Sequence, residues 1–174
     1  MTNQFQKDDG INDSIELMIS ILIRYPEINM IKTDPKTQEI IFSFLLKKKL
    51  TQVEFFTLQK ELIKNIETFL FIQNKKPNSI RLQLQSYGDY SFVEVIRDFK
   101  TISQREISLL IHLISSEFGT YLLTEVDENQ DLEDLKNQEK IIDDLLTRLQ
   151  YQRQQDLIGF REAGKVMVFQ KNGV

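Results

Sequence analysis

The sequence predicts an α+β domain with a ferredoxin-like (split βαβ) sheet. An extra N-terminal helix and strand precede it, and a C-terminal helix and β-hairpin follow. Three observations carry this reading. Segments with strict alternation, such as "SIRLQLQS" at 79–86, interleave with segments of helical period, such as "FFTLQKELIKNIETFLF" at 55–71. Two Ser/Thr-x-x-Glu signatures, Thr51 with Glu54 and Ser103 with Glu106, each stand between a pair of strand-like segments and a helical one. From residue 39 the order is strand, helix, strand, strand, helix, strand, which is the order of the split βαβ unit.

Each element has a local reason. Residues 1–10, "MTNQFQKDDG", are polar and expected to be disordered. Asn12 or Asp13 then caps a helix that Tyr25-Pro26 ends. Its residues Ile15, Leu17, Met18, Ile19, Ile21, Leu22 and Ile23 leave little polar surface, so it is buried on more than one side. Ile15, Met18 and Leu22 are therefore candidate contacts of a homodimer.

"NMIKTDPKTQEIIFSFLLKK" reads as two strands around the turn "DPKTQ", the second apolar on both faces and so central. Thr51 then starts a helix carrying Phe55, Leu58, Leu62, Ile66 and Phe69 on one face. "SIRLQLQS" and "YSFVEVIRDF" form a hairpin through "YGD". Ser103 starts a helix that buries Ile107, Leu110, Ile111, Ile114 and Phe118. "TYLLTEV", 120–126, is expected to be the last strand of the sheet. The hairpin, cap and helix thus occur twice, with caps 52 residues apart.

The composition shifts at residue 127. "DENQDLEDLKNQEKIIDD" holds eight acids against two lysines and opens a helix. Leu135, Ile142 and Leu149 recur at seven-residue steps on it, a possible coiled-coil seam and a second candidate dimer contact. "DLIGFREAGKVMVFQKNGV" reads as a hairpin that must dock on something. The expected divisions are 1–10 disordered, 11–126 the α+β domain, 127–155 the helix, and 156–174 the hairpin.

Composition excludes several chemistries. There is no Cys, so disulfides, thiolate metal sites and Cys nucleophiles are absent. A net charge of −4 argues against a dedicated nucleic-acid binder. "IELMISILI" is too short to span a bilayer, and its acidic flank is wrong for a secretory signal. The expected location is cytoplasmic. "GFREAGKV", 159–166, fits G-x-x-x-x-G-K, but Val166 stands where Mg²⁺ needs a hydroxyl and "VMVF" follows where a helix is needed. Gly164 is read as a hairpin turn instead. His112 lacks partner ligands for a metal. The acids of "DENQD" lack the glycine turn of a calcium loop. Arg97 and Asp98 fall on opposite faces of a strand and so cannot act together within it.

One strand carries a resemblance. "GDYSFVEV", 88–95, is similar to the octapeptide of RNA-recognition motifs, with Tyr90, Phe92 and Val93 on matching positions and Ser91 on the small one. Ile41 and Phe42 stand where that family's second motif begins. The departures are Gly88 for the basic residue, Asp89 for the glycine and Val95 for the final aromatic. The resemblance implies base stacking by Tyr90 and Phe92 on an exposed sheet. An α-β-β-α-β-β-α reading of the elements also resembles the small acidic dimers that act as secretion chaperones. The function expected is a non-catalytic protein-interaction or regulatory module, homodimeric, without cofactor or metal. RNA binding through the sheet, or a chaperone-like adaptor role, is the alternative.

Overall fold

The computed structural model describes residues 3–125 and 131–171. In chain order the elements are α1 (Asn3–Arg24), β1 (Met30–Asp34), β2 (Glu39–Leu46), α2 (Gln52–Ile72), β3 (Ile80–Tyr87) and β4 (Tyr90–Asp98). They continue with α3 (Gln104–Phe118), α4 (Leu132–Leu149), β5 (Leu157–Glu162) and β6 (Lys165–Gln170). The six strands form one open sheet in the order β3-β4-β2-β1-β5-β6. Every neighbouring pair is antiparallel. The fold class is α+β.

Alternation sorts the strand residues onto two faces. Ile40, Phe42, Phe44 and Leu46 of β2 point one way and have no exposed surface. In register beside Phe42 lie Val95 on β4 and Ile31 on β1, both fully buried. Leu82 continues the row on β3. All belong to one core with Leu58, Leu62, Ile66 and Leu70 of α2, whose four-residue spacing makes a single stripe. Ile107, Leu110, Ile111, Ile114 and Phe118 of α3 join the same core. Burying each such side chain stabilises the fold by about 1.5–3 kcal/mol relative to exposure.

α1 and α4 complete the helical layer. They run antiparallel, because Arg24 pairs with Glu139 at 2.6 Å while Asp13, eleven residues earlier, pairs with Arg148 at 3.4 Å, nine residues later. Between these ends the two apolar stripes meet. α1 also crosses the hairpin at Gly159, where an added Cβ would sit 3.3 Å from both Leu22 Cδ1 and Met18 Cε. All four helices therefore lie on one face of the sheet.

Several expectations are corrected. α1 begins at Asn3, ahead of the start expected at Asn12 or Asp13. Tertiary contact supplies what propensity lacks: an added Cβ at Gly10 would reach within 2.9 Å of Gln152 Oε1, beyond the end of α4. α4 spans 132–149 and ends short of the expected 155, while 127–130 lie outside the described residues. Of the strand expected at 120–126, the described part makes only the isolated bridge of Leu122 to Leu46. β1 already pairs with β2 from Ser43 to Glu39, so only the end of that strand remains free on that side. The terminal hairpin is no appendage, since β5 pairs along β1 and extends the main sheet. Thr33 fixes the junction, with its hydroxyl donating to Gln155 O and accepting from Leu157 N–H at 3.0 Å.

Candidate interaction surface on the uncovered sheet face

The opposite sheet face meets no helix of the described chain. Register reads it as rows running across the strands. One row is Arg81, Ile96, Ile41, Lys32, Ile158 and Phe169. The next is Gln83, Glu94, Ser43, Met30, Phe160 and Met167. A third holds Gln85, Phe92 and Leu45, and Tyr87 stands beside Tyr90 at the hairpin end. Ile96 at the centre is 2% exposed, the apolar residues around it are half-buried, and none of them belongs to the helix-covered core. Tyr87, Tyr90 and Phe169 are 61%, 47% and 52% exposed. Phe160 stacks on Phe169 with centroids 5.8 Å apart, and Tyr87 meets Phe92 edge-on at 5.7 Å. These three exposed aromatics and the half-buried apolar residues between them form a patch of the kind that marks an interaction site.

Turn chemistry sets these rows. Gly88 (φ +59°) allows the tight link between β3 and β4. Ala163 (φ +49°) and Gly164 (φ +76°) make the two-residue turn between β5 and β6. In "GFREAGKV", then, Gly159 lies in β5 and Lys165 opens β6. A strand stands where a phosphate cradle needs a helix, and Gly164 is a turn residue as read from the sequence.

Two ion pairs lie among the central rows. Lys32 reaches Glu94 at 3.4 Å, and Arg81 binds Glu39 at 2.8 and 3.2 Å. A row of carboxylates (Asp34, Glu39, Asp98) closes one end of the face. Each is satisfied and held below its ordinary range. Asp34 accepts from Lys36 N–H at 2.9 Å. Burial pushes Glu39 up, but its hydrogen bonds, from Arg81 above all, outweigh it. Burial likewise opposes the Asp98 charge, and the N–H of Ser79, the Thr101 hydroxyl and Arg97 overcome it. No cluster of three metal-ligating side chains occurs among the described residues.

Arg97 is the most buried charge, with no exposed surface. Its Nε and Nη2 grip Glu106 at 2.7 and 2.8 Å, Nη1 donates to Ser79 O at 2.6 Å and to Asp98, and Nη2 also reaches Thr101 at 2.8 Å. Arg97 and Asp98 do act together, contrary to the strand-face argument, because the guanidinium turns around the end of β4. All five donors are engaged, so the cluster is a structural clasp that offers no free group to a substrate. It also changes the second cap. Ser103 accepts from Glu106 N–H at 3.3 Å, but the Glu106 carboxylate goes to Arg97 rather than back to Ser103. At Thr51 both halves of the box form.

A cleft of about 630 Å³ opens beside the C-terminal end of α1, lined among others by Leu22, Glu27, Leu135, Arg161 and Val166. Arg161 is turned away from any ligand by its work as a helix cap, donating to the carbonyls of Leu22, Pro26 and Ile28. His112 is exposed on α3. The stretch 127–130, which holds most of the acids weighed as a calcium loop, lies outside the described residues.

The residues proposed from sequence for a dimer sit elsewhere. Met18, Leu22, Ile142 and Leu149 are buried in the chain's own core, where α1 packs on α4, and Ile15 packs against that core. Leu135 is half-buried in the cleft. Their stripes satisfy each other within one chain, so this corrects the expectation that they face a partner. Tyr90 and Phe92 do lie on the uncovered face. The residues missed are Met30, Leu45, Ile158, Phe160, Met167 and Phe169. Their signal was apolar character at both parities of β2, β5 and β6. Comparisons with protein-family models, with curated proteins and with solved structures return no match.

Proposed function

We propose that this protein is a non-catalytic, cytoplasmic protein-interaction module whose working surface is the uncovered face of its sheet. The observation that carries the reading is the set of apolar rows from Tyr87 to Phe169, left outside the core by helices that all pack on the other face. The polar clusters support it by being closed, since Arg97 and the carboxylate row spend their valence internally. RNA binding is the weaker reading: Tyr90 and Phe92 are placed for stacking, but the cations of the central rows, Lys32 and Arg81, lie two rows from Phe92 and are paired with Glu94 and Glu39.

For the fold we propose a ferredoxin-like unit. β2, α2, β3, β4 and α3 supply its first five elements, and β1 takes the edge where its fourth strand would lie. The functional reading is tested by replacing Tyr87 and Phe169 with Ser. Groups kept for docking leave the thermal midpoint within about 4 °C and lower the binding of an apolar dye. A fall of roughly 10 °C or more, the equivalent of several kcal/mol, would mean that the face belongs to the core of the fold.

A further inference from the structure

We infer that the occupant of the uncovered face is a second copy of this chain, stacked sheet to sheet about a two-fold axis into a four-layer helix–sheet–sheet–helix dimer. This rests on the reading of that face as a docking surface. Three features single out a second copy.

The first is shape. A sheet face left bare by its own helices can be completed by another sheet stacked at about 10 Å, and a two-fold axis brings the same register rows together. The second is charge. In the apolar rows each cation already has its anion, Lys32 with Glu94 and Arg81 with Glu39. The face is thus neutral where a copy would press on it, so two copies do not repel there. Phosphate backbones find no free cation in these rows, and strongly charged partners find no complement.

The third is area. Six strands about 4.8 Å apart and rows about 20 Å deep give roughly 500 Å² of plan area per copy. Two copies would bury about 1,000 Å², the lower bound for a specific interface. An interface at that lower bound is expected to associate reversibly. Isologous pairing also uses one surface twice, so every apolar row is covered by a single event. Met30 and Met167, unbranched and polarizable, let the two faces adjust to each other's aromatics.

The test is sedimentation velocity on the full chain from about 1 to 500 µM, with Phe169→Glu and Tyr90→Glu at opposite ends of the face and Phe71→Glu on α2 as control. The expected result is a monomer–dimer equilibrium that each face variant weakens at least tenfold and the control leaves unchanged. Both face positions are about half exposed, so these variants should keep the wild-type thermal midpoint. A chain that stays monomeric at the top concentration overturns the second copy while leaving a docking face for another protein, provided that the Ser variants keep their stability. A dimer that ignores both face variants overturns the surface. Retention of single-stranded RNA that weakens with salt and is lost with Tyr90→Glu also overturns the inference, in favour of the nucleic-acid reading.

Discussion

Arg97 joins more of the structure than any other side chain: the end of β4, the start of β3, the loop before α3 and its first turn. A guanidinium with no exposed surface is tolerable only because two carboxylates, a hydroxyl and a carbonyl receive it. Removing one member of such a set strands the others. Arg97→Ala is expected to destabilise the protein by about 3–5 kcal/mol in urea unfolding, by leaving Glu106 and Asp98 buried without a counter-charge. The carboxylates also set the acid limit. Asp98 and Glu39 are held below their ordinary values in the folded chain, so the stability they confer is present above the unfolded carboxylate pKa. It is lost as pH falls through the lowered folded values, below about pH 4. Glu106 acts oppositely, since burial, against the pull of Arg97, pushes its carboxyl up. Urea midpoints measured from neutral to strongly acidic pH should fall less steeply for Asp98→Asn than for the parent chain. Of these residues the sequence named Arg97 and Asp98 but denied their contact, because alternation describes a strand's middle and β4 ends at Asp98.

At the scale of elements, the capped starts of α2 and α3 were legible and the difference between them was not. Thr51 and Glu54 form the complete reciprocal box, so Thr51→Ala should cost about 1 kcal/mol. Ser103→Ala removes one bond of 3.3 Å and should cost less, around 0.5 kcal/mol. Equal losses in thermal unfolding would contradict the loss of the second half-box to Arg97. Gly159 marks where α1 crosses β5, with Leu22, Met18 and Val168 within 3.4 Å of an added Cβ. Gly159→Val is expected to destabilise by about 1–3 kcal/mol through overpacking, readable as a lower urea midpoint. A glycine inside a strand is a sequence signal of close approach, but nothing local says which element approaches.

Across the whole molecule, the terminal segments are structural. β5 and β6 extend the sheet, and α4 covers α1, so a chain cut after Glu125 would expose Leu17, Met18, Ile21 and Leu22. Such a chain should lose cooperative unfolding or aggregate, as seen by circular dichroism and light scattering. A soluble chain with the parent's unfolding midpoint would refute the packing of α4 on α1.

Periodicity, turn residues and caps are local, and they determined the α+β class, all the regular strands and two of the helices, α2 and α3, to within a few residues. What they could not determine was which apolar stripe meets which, because every stripe gains about the same free energy from any apolar cover. The heptad of Leu135, Ile142 and Leu149 reads the same whether it meets a partner chain or α1. Only the tertiary structure decided for α1, which runs antiparallel to α4 with Arg24 at Glu139 and Asp13 at Arg148. The same ambiguity hid the uncovered face. An apolar strand side reads as core from its own residues, and whether it is covered depends on helices that all dock on the other side.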